Sequence, residues 1–313
     1  MSDEYDVVVV GGGLAGMSAG LTSARLGRKT AILTGGLPGG QLVSIEHIDG
    51  VPGFPEGVPG YDLCPMTQEQ CDAAGVAFLQ DACDGLEADG DKWRLATASG
   101  PVSAGAVIVA SGSSFAKLGA PGEEEFQGRG VSDCASCDGP LLRGKTTLVV
   151  GGGDSAMQEA LALAEHVEKV IMIERGAALN GQAAYKEKVE ASDKIELQFG
   201  KTVSEILGDD NGVAGVKVKD AASGDEVEVK TAAVFVFAGL VPNSAFLKDA
   251  VPLDEKGRIV TDASMRTSAK GVLAAGAVRA ASACRAAGAM GDGAGAALAA
   301  DHYLATGEWP ALS

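Results

Sequence analysis

The sequence predicts an α/β protein with two dinucleotide-type βαβ units, and three observations predict it. Two apolar strand patterns each run into a glycine-rich turn and then a helix. A Cys-x-x-Cys pair stands between the two patterns. Glycine is abundant, at 45 of 313 residues, while aromatics make up only 4%, a balance that suits many tight strand-to-helix turns.

The first unit is "DVVVVGGGLAGMSAGLTSARLGRKTAIL", residues 6–33. Its valine run reads as a buried parallel strand. Gly11, Gly13 and Gly16 follow in GxGxxG spacing, then a helical stretch, then the apolar "KTAIL". Glycine is required at the tight turn, at the pyrophosphate approach and where helix meets strand. The helix N-terminus then offers unpaired N–H groups and a positive dipole end to the phosphates. A lone GxGxxG is weak, but one inside a complete βαβ pattern is specific.

The second unit, "TTLVVGGGDSAMQEALALAEHVEKVIMIER", repeats the order with Gly151, Gly153 and Ala156, the alanine replacing the last glycine as the motif permits. Two ordinary glycine-rich turns would not both sit in this full context, so the chain carries two dinucleotide sites. An acid about 20 residues past the glycines bonds the ribose 2′-OH of NAD. Glu174 stands 23 residues after Gly151, whereas Thr34 stands 23 residues after Gly11. Glu174 therefore argues for NAD over NADP at the second site, against a neighbouring cation, Arg175, and against the plainer role of a solvated strand end.

The stretch "CASCDG", residues 134–139, admits a zinc half-site, a structural disulfide or a redox dithiol. Structural zinc takes four ligands. No second CxxC exists, and His47, His166 and His302 are not spaced to complete a site, so no metal is expected. A redox dithiol beside two dinucleotide sites is the favoured reading. Of the other cysteines, Cys64, Cys71 and Cys83 read as small hydrophobes or modestly exposed thiols, with Cys64 and Cys71 on one face if their segment is helical.

Composition limits the partners. At 46% hydrophobic residues the chain has material for a substantial core, and 313 residues allow two domains. A net charge of −17 opposes nucleic acid and anionic membranes as partners. The N-terminus "MSDEYDVVVV" lacks the basic region and cleavage site of a signal peptide. No apolar run reaches membrane-spanning length, and the Ala-rich segment 286–300 is broken by Asp292 and glycines. A cytoplasmic, reducing setting is expected, where close cysteine pairs are catalytic or metal-binding more often than structural.

With these motifs in place, the chain resembles the low-molecular-weight thioredoxin reductases, FAD-dependent pyridine nucleotide-disulfide oxidoreductases, over nearly its whole length. The matching segments are "GGGLAGMSAG", "GGQL" at 39–42, "PGFPEGV" at 52–58, "VIVASG" at 107–112, "LGAPGEEEFQGRGVSDCASCDG" at 118–139, "GGGDSAMQEA" at 151–160, "FAGLVPN" at 237–243 and "GVLAAG" at 271–276. The resemblance implies two Rossmann-like, three-layer ββα domains, the second inserted into the first. An FAD domain would comprise residues 1–117 and 246–313, and a pyridine-nucleotide domain carrying the CxxC would comprise 118–245. It implies a homodimer whose small domain swings to present either nicotinamide or dithiol to the flavin. The FAD set carried over is Gly11, Gly13, Ala15, Gly16, Thr34, Gly35, Gly40, Gln41, Gly50, Ala110, Ser111, Gly112, Gly276, Ala277, Cys284 and Arg285. The nicotinamide-nucleotide set is Gly151, Gly153, Asp154, Ser155, Ala156, Glu174 and Arg175. Cys137 would be the flavin-facing sulfur, Cys134 the attacker of an external disulfide, and Asp138 the acid that protonates the leaving thiolate. The expected partner is a thioredoxin-like small redox protein or another disulfide substrate.

The chain departs from that family in places. NADPH-dependent members follow the second strand with His-Arg-Arg…Arg, where this chain has Glu174, Arg175, Gly176 and Asn180. NADH is therefore favoured over NADPH. The Gly-Asp whose aspartate bonds FAD is Gly276–Ala277, the Arg-Gln pair after it is Cys284–Arg285, and the Asn before "PGFPEG" is Gly50. These changes cluster around the flavin while the dithiol motif is intact, which points to retuned flavin chemistry. Three readings compete. The leading one is a nucleotide-dependent disulfide reductase. The second takes electrons from ferredoxin, which the acidic surface opposes, or runs as a dithiol oxidase using oxygen. The third is a non-catalytic redox or nucleotide-binding protein.

Overall fold

The computed structural model of the chain describes residues 3–247 and 250–310. The chain divides into two compact units, residues 1–114 with 241–313, and residues 115–240.

The first unit opens with strand β1 (Asp3–Val10), helix α1 (Leu14–Arg25) and strand β2 (Thr30–Leu33). Helix α2 (Gly60–Ala73) and β3 (Ala77–Leu79) follow, then β4 (Gly85–Asp89), β5 (Lys92–Ala96), β6 (Val102–Val109) and β7 (Ser113–Phe115). In the second unit come β8 (Val131–Ser132), the one-turn helix α3 (Ala135–Asp138), β9 (Thr146–Val150), α4 (Asp154–His166), β10 (Lys169–Glu174) and α5 (Ala183–Glu190). It ends with β11 (Ile195–Phe199), β12 (Lys201–Asp209), β13 (Gly212–Asp220), β14 (Glu226–Lys230) and β15 (Val234–Val236). The chain returns through β16 (Leu240–Pro242), β17 (Val272–Ala274) and α6 (Ala286–Thr306).

The first unit's sheet runs β3-β2-β1-β6, all parallel, and continues antiparallel through β5 to β4. Strand β6 is long enough to take two neighbours on one edge: β5 along Val102–Ala104 and β17 along Val107–Val109. The valine run has no polar face because both faces are covered. Val7 and Val9 pack with α1, α2 and α6, while Val8 and Val10 pack with Leu86 and Leu95 of β4 and β5. That arrangement is a ββα sandwich: helices, parallel sheet and an antiparallel layer.

The second unit repeats the plan. Its five-stranded parallel sheet has the order β11-β10-β9-β15-β8, with a separate antiparallel sheet β12-β13-β14. Val149, Val170 and Met172 face α3, α4 and α5, and Leu148, Val150, Ile171 and Ile173 face Val203, Ile206, Val216 and Val218 of the antiparallel layer. The two crossings of the chain, β7 and β16, pair with each other as a short two-stranded sheet. The units change over at 114/115 and 240/241, inside that ribbon, where the sequence placed the junctions at 117/118 and 245/246. No described helix is long and apolar enough to cross a membrane.

Cys64 and Cys71 lie on α2 and are both buried, as is expected of two cysteines seven apart on a helix. Cys64 Sγ donates to Gly39 O at 3.6 Å and Cys71 Sγ to Met17 O at 3.3 Å. Burial pushes both thiols, and that of Cys83, up to about 11. At pH 8 such a thiol is ionised in about one molecule in a thousand. Cys284 is exposed. Iodoacetamide at pH 8 is therefore expected to alkylate Cys284 alone among these four before unfolding, as read by peptide mass spectrometry. Equally fast labelling of Cys64 or Cys71 would contradict their burial.

Candidate active site: two glycine-rich cradles and a dithiol

The first cradle is the turn between β1 and α1. Gly11 has φ +114°, and a Cβ there would lie 2.3 Å from Ala110 O, so only glycine fits. A Cβ at Gly16 would stand 1.8 Å from Gly11 O. Gly13 differs: a Cβ there would meet only Gly40 Cα, at 3.9 Å, so the space above the turn is open. Gly13 is also the N-cap of α1, and it offers no side chain to the first-turn amides. An open turn with unclaimed N–H groups fits a pyrophosphate.

The remaining residues expected around FAD gather at this end of the sheet in part. Gly39 N donates to Gly12 O at 2.8 Å, which brings Gly40 and Gln41 over the turn. Thr34 follows β2 and its hydroxyl donates to Leu79 O, while Gly35 N donates to Asp81 O. Ala110, Ser111 and Gly112 follow β6, and Asn243 clamps them: Asn243 Nδ2 donates to Ser111 O and Ser111 Oγ donates to Asn243 O. Gly276 stands against Ala15, where its Cβ would be 2.8 Å from the Ala15 Cβ. Gly293 of α6 lies so close to α1 that a Cβ there would be 2.2 Å from Ala15 O. Gly50 sits in an exposed loop with nothing near its Cβ direction. Cys284 and Arg285 are exposed before α6, Cys284 with φ +49°.

Around Ala277 the structure supplies a charge pair that the sequence did not disclose. Asp292 of α6, 9% exposed, accepts from Gly276 N at 3.1 Å. The same carboxylate takes Arg279 in a fork, Nε to Oδ2 at 2.7 Å and Nη2 to Oδ1 at 2.8 Å. Its signal was present as the single acid interrupting the Ala-rich tail.

The second cradle is the turn between β9 and α4. Gly151 has φ +128°, and its Cβ would lie 2.4 Å from Phe237 O. Gly153 caps α4 without a side-chain bond, Ala156 is fully buried and Ser155 is exposed. Glu174, at the end of β10, is 7% exposed. Its Oε1 accepts from Gly176 N at 2.7 Å, and its Oε2 lies 2.6 Å from where a Gly152 Cβ would be. The carboxylate thus lies directly against the glycine-rich turn. The following stretch is strapped across the same turn: Asn180 N donates to Gly152 O at 2.9 Å, and Asp154 accepts from Gln182 N at 2.6 Å. Arg175 is exposed.

Cys134 and Cys137 form a disulfide with Cα atoms 5.3 Å apart. Cys134 is the N-cap of α3, and its Sγ accepts from Cys137 N at 3.2 Å. Cys134 is half-buried, Cys137 exposed, and Asp138, the next residue, half-exposed. Among the described residues no cluster of three or more His, Cys, Asp or Glu side chains could hold a metal.

Two comparisons decide the family. The model of the pyridine nucleotide-disulphide oxidoreductases matches residues 5–293. The thioredoxin reductase of Treponema pallidum is 38% identical over 306 residues, covering 98% of this chain and 99% of the relative. That of Bacillus subtilis is 36% identical, covering 97% and 96%. The chain belongs to the pyridine nucleotide-disulphide oxidoreductase family. The crystal structure of the Lactococcus lactis thioredoxin reductase superposes with a TM-score of 0.93 at 36% identity, covering 96% of this chain and 99% of that one. The chain is accordingly a FAD-dependent disulfide reductase of the low-molecular-weight thioredoxin reductase type. Family membership explains why the two glycine-rich turns, so far apart in sequence, are built alike.

Proposed function

We propose that this oxidoreductase draws electrons from NADH and delivers them, through Cys134–Cys137, to the disulfide of a thioredoxin-like protein, as a cytoplasmic homodimer. The observation that carries the nucleotide choice is the buried Glu174 carboxylate on the second cradle. A ribose 2′-OH donates to such a group, whereas a 2′-phosphate is repelled by it. Gly176 and Asn180 supply no cation to offset that repulsion.

In this reading the amides of Gly13 and of the first turn of α1 through Gly16 would hold the FAD pyrophosphate, Gly11 shaping the turn while its own N–H donates to Leu33 O, and Ser111–Gly112, fixed by Asn243, would border it. When bound, FAD supplies two-electron relay between the nicotinamide and the disulfide. The amides at Gly153–Ala156 would hold the nicotinamide nucleotide, the Gly151 N–H being bonded to Ile173 O. After reduction the Cys134 thiolate, stabilised by the Cys137 N–H, attacks the partner disulfide. A mixed disulfide forms and one partner sulfur leaves, taking a proton from Asp138. Cys137 then attacks Cys134, the second partner sulfur leaves, and the Cys134–Cys137 bond is restored. Leu141, four residues beyond Cys137 and 81% exposed, offers an apolar contact to a protein partner beside the dithiol.

Steady-state reduction of a thioredoxin is the direct test, with NADH expected to exceed NADPH in kcat/KM by about a hundredfold, the worth of roughly 2.7 kcal/mol of discrimination. A preference for NADPH would overturn the reading of Glu174. Dithiol oxidation with peroxide release, indifferent to both nucleotides, would favour the oxidase reading, which the missing arginines and the altered flavin contacts motivate.

Ala277 carries its own prediction. A carboxylate in that place makes a charge-assisted bond worth about 1.5–3 kcal/mol. Ala277→Asp is therefore expected to tighten FAD binding about ten- to a hundredfold, read by flavin fluorescence on dilution. Unchanged affinity would place the side chain away from the flavin.

A further inference from the structure

Helix α4 serves more than the nucleotide cradle. Its first turn follows Gly153, and a little over one turn on it presents Glu159, an acid only 6% exposed. Glu159 lies on the same face as Ala156 and Leu163, which are both fully buried. Its neighbours in that core include Ala135, 0% exposed, the residue directly after Cys134. Glu159 Oε2 accepts from Ala135 N at 2.7 Å, both groups being buried. A buried acid costs several kcal/mol in desolvation unless hydrogen bonds compensate it, so its place beneath the disulfide asks for a reason. Capping explains the bond but not the charge: Cys134 Sγ takes Cys137 N, Glu159 takes the Ala135 N–H that this cap leaves over, and a neutral acceptor would serve that N–H as well.

We propose that Glu159 is a positioning residue for the dithiol: its carboxylate fixes the Ala135 amide and thereby the Cys134 backbone, and its charge keeps the Cys134–Cys137 pair strongly reducing. The proposal rests on the reading of Cys134–Cys137 as the working dithiol. Reduction of the disulfide takes two electrons and one proton to give a thiol and a thiolate, or two protons to give two thiols. A carboxylate held one residue from Cys134 disfavours the thiolate form by like-charge repulsion. A dithiol whose reduced form is less stabilised has a lower potential and passes its electrons on more readily. The other titratable groups of the segment are Asp133 and Asp138, which flank the cysteines, and His166, whose ring lies 3.1 Å from where a Gly139 Cβ would be. Asp133 is exposed and Asp138 half-exposed, so water screens them more than it screens Glu159.

The test is equilibration of the whole flavoprotein against dithiothreitol redox buffers, with the Cys134–Cys137 state read by alkylation and mass spectrometry. Glu159→Gln keeps shape and one acceptor but removes the charge, and Glu159→Met fills the same core space without either. Both carry the same expectation, so failure of one to fold leaves the other to decide. The expected result is a shift of the exchange constant toward the reduced form by tenfold or more, about 30 mV upward for a two-electron couple. The flavin spectrum should be unchanged. A potential equal to that of the parent in a folded variant would overturn the proposal, even if the melting temperature falls, because a merely structural acid moves stability alone. A parent protein whose cysteines do not cycle in the buffer would instead break the dithiol reading itself.

Discussion

Replacing Cys134 with serine is expected to lower disulfide reduction by about a thousandfold or more, while leaving the fold and the flavin intact. A two-electron disulfide needs both sulfurs, and a serine hydroxyl is not ionised at neutral pH. The substitution isolates chemistry from structure because Cys134 is the N-cap of α3, where its sulfur accepts from Cys137 N, and serine is among the preferred N-cap residues. Thermal unfolding of Cys134→Ser should thus match that of the parent closely. Rapid-mixing absorbance should still show nucleotide bleaching the flavin, with electrons halted there. Thioredoxin turnover surviving in Cys134→Ser would mean that another exposed thiol, the freed Cys137 or Cys284, carries the exchange.

The second large effect concerns nucleotide choice. Glu174→Ala removes the carboxylate that lies on the glycine-rich turn. NADH is expected to bind about ten- to a hundredfold more weakly, by the loss of a charge-assisted bond of about 1.5–3 kcal/mol, while NADPH gains from the lost repulsion. Adding Gly176→Arg and Asn180→Arg should then invert the preference, because guanidinium groups pair with a 2′-phosphate in two parallel bonds. The order of substitution matters. A Cβ at Gly176 would stand 3.0 Å from Glu174 Oε1, so arginine there is crowded until Glu174 has been shortened. Titration of nucleotide-induced absorbance changes reads both constants. Equal NADH affinity in Glu174→Ala would show that the ribose lies elsewhere.

The βαβ units were legible because local pattern and tertiary burial agree in them. Val7 to Val10 read as a strand covered on both faces, and alternate valines do fall into the two opposed cores. The glycines at 11 and 16 are sterically compulsory, so the motif reports the geometry directly. Cys64 and Cys71 show the same agreement on α2. What sequence alone did not reveal depends on pairs far apart in the chain. Glu159 meets Ala135 across 24 residues, and Arg279 and Asp292 meet through a turn and a helix. An acid on an apolar helix face is the only trace such a contact leaves, and that trace does not name its partner. The strap from Asn180 and Gln182 back to Gly152 and Asp154 is similar: the missing arginines were visible, but the fold of the segment over the turn was not.

The most direct single measurement is an anaerobic absorbance titration of the purified flavoprotein, first with NADH and then with NADPH. Stoichiometric bleaching of the flavin by NADH, with NADPH needing about a hundredfold higher concentration, is the expected result. Bleaching by NADPH at the lower concentration, or a flavin left oxidised by both nucleotides, would contradict the assignment of Glu174 and of the second cradle as an NADH site.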